Sequence, residues 1–252
     1  MKNSSQFGRN ALIGLLTIVS TAMPAHAADA AKPINLHYNE RPPFTSLLDG
    51  AVVGIVAAPI ENAFRKAGIA FKWVETPVAR QFLLVKSDTG QDCLAGRFKN
   101  ADRETWAQFS KPVYQDQPQG LLVRSDNATA RTYTRLEEAV GAPDFRLLVK
   151  LSYSYGAAVD HWLAQRTPPA RTTTDENVDM LRQIKLRMAD GFIIAAEEAQ
   201  GLLHQSTAGG SDVKLLKFPD SPEGDRRYVM CSLQVPQATM DKLNSAITWR
   251  AR

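Results

Sequence analysis

The sequence predicts an α/β protein of two lobes, each a mainly parallel sheet flanked by helices. Strand-like and helix-like segments alternate along the chain, which is the pattern of parallel strands joined by helices that cross back over the sheet. The alternation restarts near residue 146 after a crossing strand, which suggests a second lobe. With 252 residues, 44% hydrophobic and 22% charged, the chain can bury one large core or two small ones.

Taken in order, Ile34-Asn35-Leu36-His37-Tyr38 reads as the first strand and opens into a turn-rich loop through Pro42-Pro43 and Asp49-Gly50. A helix is expected from Pro59 to Lys66, because proline fits a first helical turn and Gly68 supplies the stop. Phe71 to Val74 is the second strand, and Val78 to Val85 a helix entered through Pro77. Cys93 to Gly96 reads as a third strand ending in a glycine loop, and Gly120 to Val123 as a further one. In the second half Arg146 to Leu151 is a strand, Gly156–Gln165 and Val178–Met188 are helices, Phe192 to Ala195 is a buried strand and Glu197 to His204 a helix.

Residues 1–27 carry Lys2 and Arg9 without an acid, then the apolar run Ala11 to Val19, then the A-x-A pattern at Ala25-His26-Ala27. That is the layout of an export signal cleaved near Ala27, and the apolar run is shorter than the roughly 20 residues needed to span a bilayer. The expected location is the periplasm, without a lipid anchor, since no cysteine adjoins the cleavage site. The net charge of +4 is spread without a run of five like charges, which argues against a nucleic-acid partner or a polybasic membrane anchor. Cys93 and Cys231 are too few for a zinc ribbon, and their meaning depends on the compartment. No metal-spaced cluster, histidine–carboxylate pair or nucleophile elbow is recognisable in the sequence pattern, so neither metal nor cofactor is expected.

In open α/β sheets ligands lie beyond the carboxyl ends of the strands. That rule selects Glu40, Arg41 and Phe44 after the first strand, Arg80 after the second, Gly96, Phe98, Lys99 and Arg103 after the third, and Ser152 to Gly156 and Glu197 in the second half. Arg103 can hold a carboxylate through two parallel hydrogen bonds; its other reading is a surface arginine paired with Asp102 or Glu104. Ser154, with Tyr155 beside it, can add hydroxyl and helix N-terminal contacts to the same anion, or can simply cap the helix. Glu40, Arg41 and Arg80 can dress a polar cleft or stay solvated. Phe44, Phe98 and Tyr114 can stack on a ligand or belong to the core.

Asn100-Ala101-Asp102-Arg103 followed by Phe109-Ser110-Lys111-Pro112-Val113-Tyr114 resembles the T-x-E-R…F-S-x-P-Y signature of extracellular solute-binding proteins of family 3, the type II periplasmic binding proteins of amino-acid ABC transporters. Arg41-Pro42-Pro43-Phe44, Gly50…Gly54, Leu136-Glu137-Glu138 and Ala189-Asp190-Gly191-Phe192-Ile193-Ile194 fall in the same order, so the resemblance covers nearly all of the chain after residue 27. It implies the type II fold, with one lobe of residues 28–117 plus 227–252, a second of residues 118–226, and two crossing strands between them. It also implies a monomer without enzymatic activity that closes on a small carboxylate-bearing solute and hands it to an ABC permease, with Arg103 on the carboxylate. Two positions depart from the family pattern. The acidic residue expected after Gly50…Gly54 is replaced by Ala57-Ala58, and the aspartate that holds the ligand's ammonium falls on Ala195. Glu197 can substitute; otherwise the ligand need not be an α-amino acid. In this topology Arg227 to Ser232 is the returning strand beside the third strand, which implies a Cys93–Cys231 disulfide. The alternatives are a ligand sensor, or a small dehydratase or lyase on the same scaffold using Glu197 and a lysine.

Overall fold

In the computed structural model, which describes Met1, residues 32–206 and residues 212–249, two large sheets hold most of the strands. The predicted export leader lies, apart from Met1, outside the described residues. The first sheet has the order β4-β1-β5-β13-β6, from Phe71–Glu75, Ile34–Tyr38, Asp92–Phe98, Arg226–Cys231 and Gln108–Phe109, and β7 (Tyr114–Gln115) also pairs with β13. The second has the order β10-β9-β11-β8-β12, from Arg171–Thr173, Leu147–Lys150, Gly191–Ala195, Gln119–Arg124 and Val213–Leu216. A small hairpin, β2 (Ser46–Leu48) and β3 (Ala51–Val53), turns at the predicted Asp49-Gly50, both residues lying at positive φ.

Each sheet is mixed, which refines the expectation of mainly parallel sheets. β1 runs parallel to β4 and β5, and β9 parallel to β10 and β11, as strand–helix alternation demands. The crossing strands enter the other way: β13 is antiparallel to β5, and β8 antiparallel to β11 and β12. A strand that arrives from the other sheet has no helix to bring it round, so it can pair head to tail.

The helices lie where proline and glycine punctuation puts them. α1 (Ala57–Lys66) has Pro59 in its first turn and ends before Gly68 at φ +64°. It packs Ile60 and Phe64 against Leu36 of β1, together with Met240 and Leu243 of α8 (Gln237–Ala246). α2 (Val78–Ser87), the four-residue α3 (Ala101–Glu104), α4 (Leu136–Gly141), α5 (Ala157–Gln165), α6 (Asn177–Lys185) and α7 (Ala196–Ser206) complete the set. In the second sheet successive residues point to opposite faces, so Leu121, Leu147 and Ile193 join one core and Leu122, Leu148, Phe192 and Ile194 another. Arg166 secures one of these helical layers: its buried guanidinium donates to the carbonyls of Val140 and Ala142 at the end of α4 and to that of Phe145 in the loop that follows. Among the described residues no helix is long and apolar enough to cross a membrane.

Cys93 and Cys231 stand opposite each other on β5 and β13 and form the disulfide that the resemblance implied. Next to it the ladder slips. Arg97 pairs with Tyr228 and Leu94 with Met230, so Ala95 and Gly96 face a single residue, and Gly96 takes φ +67° in this bulge. A side chain there has no space, since a Cβ on Gly96 would come within 2.6 Å of Val56.

Candidate functional site

The carboxyl ends of four parallel strands deliver the charged groups. β1 leads to Arg41, β5 to Arg97, Phe98 and Arg103, β9 to Lys150, Tyr153 and Ser154, and β11 to Glu197 and Glu198 in the first turn of α7. Residues from all four ends meet around a small cavity lined by Arg41, Phe98, Lys150, Tyr153, Ala195 and Glu198. A second, lined by Arg41, Phe82, Gly96, Arg97, Arg103 and Ser154, adjoins it through shared residues. Each holds about 20 Å³, room for one water molecule.

Two bidentate ion pairs fill the cleft. Arg41, from the first sheet's loops, donates through Nε and Nη2 to the two oxygens of Glu198 on α7 (2.7 and 2.6 Å), bridging the two sheets. Asn177 also donates to Glu198 (2.7 Å). Arg227 grips Asp116 in the same manner (2.6 Å twice), donates to the Gly96 carbonyl, and lies between the rings of Phe44 and Phe98, at 4.0 and 4.7 Å. At Asp116 burial outweighs the Arg227 and Arg41 charges and pushes the carboxyl upward. At Glu198 burial acts in the same direction, but Arg41 overcomes it and holds the carboxyl below its ordinary value.

Arg103 is 7% exposed at the start of α3, a turn opened by Asn100, whose side chain accepts the Arg103 N–H (2.9 Å). Its guanidinium donates to the carbonyls of Phe98 (2.8 Å) and, across the cleft, Ser152 (3.2 Å), and lies over Phe82 at 4.5 Å. The neighbouring acids are engaged elsewhere: Glu104 pairs with Lys99 (2.7 Å), and Asp102 accepts from Trp106 (3.4 Å). The surface-pair reading of Arg103 therefore does not describe this structure. Burial lowers its pKa.

Gly96, Phe98 and Ser154 join Arg103 at the second cavity, while Tyr155 lines only the first. Ser154 also serves a local turn, donating to Asp160 and accepting from the Gly156 N–H (3.3 Å). The Tyr155 hydroxyl accepts from the Lys150 N–H (2.8 Å), and burial raises its pKa. Glu197 is buried, its Oε1 accepting from the Tyr114 hydroxyl (2.9 Å) and the Gln117 N–H (2.8 Å) and its Oε2 without a partner. It lines, with the exposed Glu40, a groove of about 420 Å³ that shares Arg41, Asn177 and Glu198 with the first cavity. Phe44 lies in the core beneath the arginines, and Arg80 on the exposed face of α2 lines none of the cavities described. Strand-end reasoning did not single out Arg97, Asp116, Lys150, Glu198 and Arg227. Arg97 and Glu198 each directly follow a selected residue, Gly96 or Glu197, and that adjacency was the available signal.

The Arg41–Glu198 bridge carries a pH prediction. A carboxyl held low in the folded state stabilises it above its ordinary value of about 4.3, and that stability is lost as pH falls through the lower folded value. Between neutral pH and about pH 3, wild type should lose stability more steeply than Glu198→Gln in urea melts; parallel curves would remove the bridge from this account.

Comparison with known proteins bears on this arrangement. An ancestral arginine-binding protein bound to arginine superposes with a TM-score of 0.68 at 16% identity, covering 85% of this chain and 90% of that one. The arginine-, lysine-, histidine-binding protein ArtJ from Geobacillus stearothermophilus gives 0.69 at 13% identity, covering 86% and 88%. The ancestral amino-acid-binding protein AncCDT-1, a precursor of cyclohexadienyl dehydratase, gives 0.65 at 16% identity, covering 85% and 88%. No curated protein sequence matches the chain. At such identities the superpositions speak for the two-lobed fold of type II periplasmic binding proteins, whereas residues 34–248 match a sequence family outright. With that match running from the first strand to beyond the last helix, the chain belongs to the bacterial extracellular solute-binding proteins, family 3.

Proposed function

We propose that the protein is a periplasmic monomer that closes on a small carboxylate-bearing solute, of the amino-acid type, and delivers it to an ABC permease in the inner membrane. The observation that carries the reading is Arg103, a buried guanidinium in the cleft whose hydrogen bonds go only to the neutral carbonyls of Phe98 and Ser152. A planar cation so placed is set to take a carboxylate in two parallel bonds. Ser154 and Tyr155 complete the site from the second lobe, with Gly96 and Phe98 as its floor. The unpartnered Glu197 Oε2 is available to an ammonium in place of the aspartate replaced by Ala195. In this reading residues 28–117 and 227–252 form one lobe and 118–226 the other, and entry of a solute requires them to part, because cavities of about 20 Å³ hold no amino acid.

A lyase working through Glu197 and Lys150 is less well supported, because the Lys150 ammonium is already held in an ion pair by Glu176 at 2.7 Å. Calorimetric titration with a panel of amino acids and small carboxylates tests the proposal, followed by small-angle scattering with the solute that binds. Saturable binding and a smaller radius of gyration at saturation are expected. A bound solute that leaves the scattering unchanged would count against closure.

A further inference from the structure

Four guanidiniums, of Arg41, Arg97, Arg103 and Arg227, line one cavity. Two are matched by carboxylates, Glu198 and Asp116. Neither Arg97 nor Arg103 has a carboxylate within ion-pair distance among the described residues. Arg97 is the more costly of the two. It is 6% exposed, its Nη2 donates only to the amide oxygens of Asn39 (3.0 Å) and Gln81, and its Nε is buried without a partner. Burial, added to by the charges of Arg41, Arg103 and Arg227, lowers its pKa to about 10, so it is still a cation at neutral pH. A buried, unmatched charge persists at considerable expense unless something on the other side matches it.

The geometry points to a solute with two carboxylates, one held by Arg103 and the second by Arg97, an inference that rests on the carboxylate-binding reading of the cleft. Three details of placement support it. Both guanidiniums lie against the Phe82 ring, at 5.6 and 4.5 Å, so they serve a single small molecule rather than separate sites. The β-bulge at Gly96 immediately precedes Arg97 and bends the strand end that carries it, a device common beside binding sites. The Tyr153 hydroxyl, which can donate to a carboxylate, is also buried without a partner at the adjoining cavity. Arg97 and Arg103 thus offer two guanidiniums without a carboxylate partner, one for each carboxylate of such a solute.

The test uses four probes: L-glutamate, L-glutamine, glutarate and its mono-amide, glutaramate, titrated calorimetrically into wild type, Arg97→Met and Arg97→Lys, with melting temperatures to confirm folding. Wild type should bind at least one dicarboxylate about 30-fold or more tighter than its mono-amide partner. Whether that is glutarate, L-glutamate or both reports if an ammonium is read as well. Arg97→Met should bring the ratio to within about threefold, by weakening the dicarboxylate far more than the mono-amide, and Arg97→Lys should fall between. Should Arg97→Met fail to fold, the wild-type ratio decides alone. Equal binding of dicarboxylate and mono-amide by wild type would overturn the inference and leave the carboxylate reading standing, as would an undiminished ratio in a folded Arg97→Met. Binding of none of the four would overturn the inference, and the panel of amino acids and small carboxylates then decides the carboxylate reading by itself.

Discussion

Arg103→Ala is expected to weaken solute binding by about 30-fold or more, because removing one member of a desolvated charge pair strands the other and costs roughly 2–5 kcal/mol. The loss should sit mainly in the dissociation rate, as it does when a buried, hydrogen-bonded ion pair is broken. Arg103→Lys should also fail substantially, since a single ammonium on a flexible stem cannot make two parallel bonds. Folding supplies the control. The Arg103 side chain contributes two hydrogen bonds to carbonyls and a contact with Phe82, so the variant should melt only slightly below wild type. Titration of both variants with a solute that wild type binds settles the matter, and an unaltered affinity in Arg103→Ala would remove the residue from the site.

Removal of the disulfide, as Cys93→Ala together with Cys231→Ala, is expected to cost stability rather than affinity. The bond closes a loop of 138 residues that encloses the entire second sheet. In the chain-entropy treatment a loop of that length is worth about 5 kcal/mol, and measured losses for native disulfides run from about 2 to 5 kcal/mol. The melting temperature should fall by roughly 10 °C for a domain of this size. Both cysteines are fully buried and lie away from the residues that line the cleft cavities, so the affinity of the folded variant should match wild type. Urea and thermal melts of wild type, wild type under reductant and the double variant test this. Coincident midpoints for all three would show that the closed loop contributes nothing.

Much of the framework was legible because it is written in short-range signals. Pro59, Pro77 and Gly68 punctuate helices at the places where the structure begins or ends them, and runs such as Phe192 to Ala195 can only be buried strands. What escaped reading was of two kinds. β10 (Arg171-Thr172-Thr173) and β12 have few buried residues and owe their pairing to neighbouring strands, and α8 shows its apolar stripe only once Met240, Leu243 and Ala246 are known to face α1. The orientation of the crossing strands depends on which sheet they return to, which local pattern does not carry. In the site, strand-end reasoning found Arg103, Gly96, Phe98 and Ser154 but passed over Arg97 and Glu198. Charged residues at strand ends are usually solvated, and only the structure reveals that these two are buried and what each of them meets.

The position of β13 has a consequence for how the chain comes to be folded. Every strand of the second sheet lies between residues 119 and 216 and finds its partners within that span, so this unit can condense as soon as the segment is available. The first sheet cannot. Its fourth strand, hydrogen-bonded to β5 on one side and to β6 and β7 on the other, is supplied by Arg226–Cys231, so β6 and β7 wait without a partner strand until nearly the whole polypeptide has emerged. During that interval β5, whose residues are all buried in the finished protein, presents an unpaired open edge. The inserted half thus sets the pace of assembly for the half that surrounds it, and the interval before β13 docks is when the chain is most open to mispairing with its neighbours.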